Sequence, residues 1–75
     1  MTKIEMSLKM YETKVERWKE EIKRATDSMM DEIQHGHTGE IACYAKRIEQ
    51  CTLQIKLTEE FIQTLRFIEE DSNER

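Results

Sequence analysis

The sequence predicts an all-α fold: an antiparallel, coiled-coil-like two-helix hairpin that dimerises into a four-helix bundle. Three observations carry this expectation. The 75 residues include no proline and two glycines, with 37% charged and 37% hydrophobic residues, a composition that suits long helices and leaves little for strands or irregular loops. Apolar residues recur in steps of three and four along both halves of the chain, the 3.5-residue beat of a helix seam. Both histidines and both glycines lie in the short polar stretch Gln34-His35-Gly36-His37-Thr38-Gly39 between the halves, where a reversal belongs.

Helix one is expected over about residues 2–34. Its seam runs Ile4, Leu8, Tyr11, Val15, Trp18, Ile22, Ala25, Met29. Taking Leu8 as heptad position a makes Met1, Leu8, Val15, Ile22 and Met29 a residues, and Ile4, Tyr11, Trp18 and Ala25 d residues, with Glu32 next in line. The other positions are polar for the most part, so this helix offers one narrow face.

The turn is expected at 35–39. Gly36 suits the left-handed conformation that closes a helix, and the Thr38 hydroxyl can cap the helix that follows. Glu40 falls in the next first turn, where the helix dipole favours acid. So short a link makes the helices antiparallel neighbours. Folding about His37 sets Ala25 against Ile48, Ile22 against Cys51, Trp18 against Ile55, Tyr11 against Ile62 and Leu8 against Leu65.

Helix two is expected over about residues 40–70, followed by a frayed acidic tail at 71–75. Its seam is Ile41, Tyr44, Ile48, Cys51, Ile55, Thr58, Ile62 and Leu65. Beside it lies a second stripe, Leu53, Leu57, Phe61 and Ile68, so that the apolar arc exceeds half the circumference. One partner helix cannot cover that arc. Leaving the stripe in water forfeits roughly 1.5 to 3 kcal/mol for each large side chain, and a domain this small rarely holds together on its own core. A homodimer formed through Leu53, Leu57, Phe61 and Ile68 is the expected remedy.

Several function classes find no support. The longest apolar run is Ile41-Ala42-Cys43-Tyr44-Ala45, far short of a membrane span or a signal-peptide core, so no membrane role and a cytoplasmic location are expected. Cys43 and Cys51 would sit roughly 12 Å apart along one helix, too far for a mutual disulfide, and read as reduced thiols. No phosphate loop or nucleophile elbow is present, and a slim bundle offers no enclosed pocket; no catalysis and no cofactor are expected.

Two candidate sites deserve naming. Glu32-Ile33-Gln34-His35 has the Glu-x-x-His spacing that di-iron bundles use in pairs, but it lies beside the turn, and no mid-helix glutamate on the seam completes a ligand set. His35 and His37 with Cys43 are three scattered zinc ligands where a structural site brings four. The second candidate is electrostatic. Net charge is −4, yet residues 1–24 hold seven basic against five acidic side chains. Lys3, Lys9, Arg17, Lys23 and Arg24 fall on heptad positions b and c, a candidate face for an anion or a nucleic acid. Interspersed glutamates and the absence of an exposed stacking aromatic make that the second choice. Met6, Met10, Met30, Leu53 and Phe67 lie off the seam and mark a surface for a partner protein. The sequence therefore points first to a small non-catalytic regulatory or adaptor protein that self-associates and binds another protein.

Overall fold

The computed structural model describes residues 2–73, so Met1 of the expected seam and Glu74 and Arg75 of the expected tail lie outside the described residues. Two helices form: α1, Lys3–Gln34, and α2, Ile41–Asn73. They pack against each other as a hairpin whose Cα extents are 60 × 18 × 12 Å. No strand occurs among the described residues.

The start of α1 is capped by Thr2, whose Oγ1 accepts the Glu5 N–H at 3.1 Å while its carbonyl accepts Met6 N–H at 3.0 Å. The first bond satisfies one of the four orphan donors of the helix start and the second is the first regular bond of the ladder, while Glu5 adds a carboxylate at the positive end of the dipole. Inside the helices, Thr13, Thr52 and Thr64 each donate the hydroxyl to the carbonyl four residues back, at 2.9, 2.8 and 3.1 Å. Each hydroxyl thus shares an acceptor of the helix ladder, a back-bonding that satisfies the hydroxyl and bends the helix slightly.

Every expected seam residue from Ile4 to Glu32, and from Ile41 to Leu65, is buried or half-buried. The core is thin: Val15, Ala25 and Ile62 are the buried apolar residues of the described chain, and no large side chain is fully enclosed. The seam also ends in acid at both limits, with Glu32 beside the turn and Glu69 at the open end, both half-buried. Among the described residues Glu69 Oε2 is a buried oxygen with no hydrogen-bond partner. Solvent-seeking carboxylates there stop the apolar contact from running further.

Cross-helix contacts agree with folding about the turn. Tyr11 meets Phe61, one residue from the expected Ile62, edge to face with ring centroids 5.1 Å apart. Arg47 bridges to Glu21 at 3.1 Å and Arg66 to Glu12. Glu21 and Arg47 both occupy position g of their heptads, while Glu12 and Arg66 both occupy e. In an antiparallel pair like positions meet across the seam, so each ion pair closes one edge of the hairpin.

Two boundaries differ from the sequence reading. The N-cap of α2 is Glu40, whose carbonyl accepts Tyr44 N–H at 3.2 Å. Thr38 takes part through its carbonyl, which receives Ile41 N–H at 3.4 Å, and not through its hydroxyl. At the other end α2 continues through Asp71 and Ser72 to Asn73, where the sequence placed a frayed tail from 71 onward. No proline or glycine interrupts Glu69-Glu70-Asp71-Ser72-Asn73, and none of these residues is costly enough to break a helix already under way.

Candidate functional site

The turn is assembled from backbone bonds. His37 N–H donates to the Glu32 carbonyl at 2.9 Å and Gly36 N–H to the Ile33 carbonyl at 3.1 Å. Together these are the paired closing bonds of a Schellman motif, with Gly36 at φ +74° as its left-handed residue. Among the described residues Gly36 alone has a positive φ; Gly39 serves the turn without needing one.

Side chains of the turn pair off differently from the Glu32-x-x-His35 spacing. His37 Nδ1–H faces Glu32 Oε2 at 3.1 Å, while His35 Nδ1 lies 2.8 Å from the Asp31 carbonyl and 3.6 Å from its carboxylate. The two imidazoles stack with centroids 6.0 Å apart. The Asp31 carbonyl accepting from the ring, with the Asp31 and Glu32 charges adding and slight desolvation opposing, raises the His35 pKa above its ordinary value. Among the described residues no three histidine, cysteine or acidic side chains gather into a metal-ligand group. Cys43 and Cys51 are free thiols, the first exposed and the second half-buried on the seam. The turn is thus a reversal whose polar side chains satisfy one another.

The second apolar stripe of α2 stands open in the hairpin. Leu53, Leu57, Phe61 and Ile68 are 53%, 51%, 45% and 45% exposed. Phe61 alone of these has an aromatic contact, with Tyr11, over whose ring the Lys14 ammonium sits at 5.4 Å. These residues belong to heptad positions c, f and g of α2, so the stripe runs along the outer side of α2 and borders the broad face closed by Glu21 and Arg47. Met6, Met10, Met30, Ile33 and Phe67 are exposed as well. Phe67 lies at f and extends the stripe outward.

The opposite broad face is polar. There a shallow open cleft between the helices has Val15 and Ile62 in its lining, with Glu12, Glu16, Lys19, Glu59, Gln63 and Arg66 around them. The Lys19 ammonium is 3.8 Å from Glu16. The hairpin is therefore two-faced: ion pairs cover the seam on the e side, while large aliphatic and aromatic side chains stand beside it on the g side.

Lys3, Lys9, Arg17, Lys23 and Arg24 are all exposed on the outer side of α1. Ion pairs form at Lys19, Arg47 and Arg66, and none of the five outer basic residues joins one among the described residues. Among the described residues no helix is long and apolar enough to cross a membrane. No protein-family model, curated protein or solved structure matches the chain, so the residues themselves carry the functional argument.

Proposed function

We propose that the chain is a non-catalytic accessory protein that pairs with a second copy of itself through α2 and presents the outer face of α1 to a partner protein. The observation that carries this reading is the half-exposed stripe Leu53, Leu57, Phe61 and Ile68 on a hairpin whose own buried core, among the described residues, is Val15, Ala25 and Ile62. Contiguous apolar surface of this kind marks an association site, and a chain of this size gains most from covering it.

Sedimentation velocity from micromolar to submillimolar concentration tests the pairing. A dimer that Phe61→Glu converts to monomer is expected; a compact monomer in which Phe61→Glu changes nothing refutes it. Charge reversal on α1, Arg17→Glu with Lys23→Glu, is expected to leave the dimer intact and abolish capture of the partner protein.

A second reading rests on the five unpaired basic residues of α1. Such a row suits phosphate contacts. A gel shift with short RNA and DNA at low salt, weakened by Arg17→Glu and steeply by added salt, is its expected signature; no shift at low salt removes it.

A further inference from the structure

Resting on the self-association reading, we infer that the second copy docks antiparallel, its turn at the opposite end, about a two-fold axis that crosses α2 at Leu57. Leu57 is the midpoint of Ile41–Asn73. An axis there overlaps the two α2 helices along their full length. Leu53, Leu57 and Phe61 follow one another at single-turn spacing, so that Leu57 meets its own copy and Leu53 meets Phe61 of the second copy. Large apolar side chains then face one another across the contact and cover each other from water.

Charge selects this orientation over the parallel one. A two-fold axis running along the helices sets Gln50, Leu57 and Thr64, the centre of the face, each against its own copy and sends the Lys56 and Glu60 side chains of the two copies to opposite edges. The crossing axis brings them to the same edge. Lys56 then lies within a turn of Glu60 in the second copy, twice by symmetry, and each Lys46 stem lies over Ile68. Lys46, Lys56 and Glu60 are exposed and join no ion pair within their own hairpin among the described residues. Antiparallel helix dipoles add to the preference. The contact is long enough: α2 has 33 residues, roughly 50 Å at 1.5 Å per residue, along which a helix pair can approach the roughly 800 Å² per partner that stable interfaces bury.

Disulfide trapping tests the arrangement. With Cys43→Ser and Cys51→Ala as background, Gln50→Cys and Thr64→Cys are made separately; both sites are exposed on the stripe face, and the axis at Leu57 sets one opposite the other. Each variant is oxidised alone, and also after mixing in denaturant and refolding together, with sedimentation of the reduced proteins alongside. A disulfide dimer in the mixture and in neither variant alone is the expected result. A dimer in which each variant cross-links to itself overturns the antiparallel arrangement and leaves self-association standing, as does a dimer that cross-links in no combination. A monomer under all conditions removes both proposals.

Discussion

Replacing Leu57 by charge separates a lone hairpin from a pair. Leu57 is 51% exposed, so about half the roughly 1.5 to 3 kcal/mol available from burying a leucine is still unrealised in the hairpin. A lone hairpin loses little from Leu57→Glu: surface changes of this kind stay within about 0.5 kcal/mol. A pair centred on Leu57 loses that unrealised half twice, about 1.5 to 3 kcal/mol in all, and brings two carboxylates together. At about 1.4 kcal/mol per tenfold, the dissociation constant rises by one to two orders of magnitude before repulsion is counted. Leu57→Lys is expected to act the same way. An equimolar mixture of the two variants restores association, because opposite charges then meet where like charges met in each parent. Sedimentation equilibrium of wild type, each variant and the mixture reads all four values. Variants that associate as the wild type does, or a mixture that associates no better than its parents, refute a pair centred on Leu57.

Other perturbations report on the hairpin itself. Ile62, at 6% exposed, is the largest of the buried residues, and Ile62→Ala is expected to cost about 2 to 4 kcal/mol in urea unfolding, against under about 0.5 kcal/mol for Phe67→Ala in the hairpin alone. A Cβ on Gly36 would touch nothing, yet the residue sits at φ +74°; Gly36→Ala should therefore cost about 1 to 2 kcal/mol from backbone alone, while Gly39→Ala, equally unobstructed and without positive φ, should be neutral or up to about 1 kcal/mol stabilising. His35 should titrate above its ordinary value by NMR in the folded protein and return to that value in urea. Asp31→Asn should lower the folded value only in part, since the backbone carbonyl, the larger cause, remains. The sign follows from the raised pKa: the His35 contribution is fully present below the unfolded value and is lost as pH rises through the folded one.

Most of the architecture was legible because a seam is an angular property. Three-four stepping assigns each residue a direction around its helix, and Ile4 through Leu65 turned inward where that stepping placed them. The same arithmetic put Leu53, Leu57, Phe61 and Ile68 on an open stripe. Angular placement does not say which atom of a turn residue is used, so Thr38 contributes a carbonyl and not its hydroxyl. Nor does it fix an exposed rotamer: Glu32 and His35 share a helical spacing, yet Glu32 reaches His37 across the turn while His35 bends back to Asp31. Thr2 with Glu5 three residues on was a readable helix start, concealed only by its position at the edge of the chain. The ion pairs Glu21 with Arg47 and Glu12 with Arg66 follow from heptad position once the antiparallel register is known.

A seam built on a seven-residue repeat has no zero of its own: slid by one heptad, apolar residues would again face apolar residues. In this chain the zero is supplied by the reversal, where Gly36 and His37 bind back onto Ile33 and Glu32 and six residues, 35–40, separate the helices. Those bonds make the link a ruler: a slip of a full heptad, roughly 10 Å along the axis, would break both of them. The seam supplies adhesion and the turn supplies measurement, so lengthening the turn would change which residues meet before it changed how strongly the helices hold.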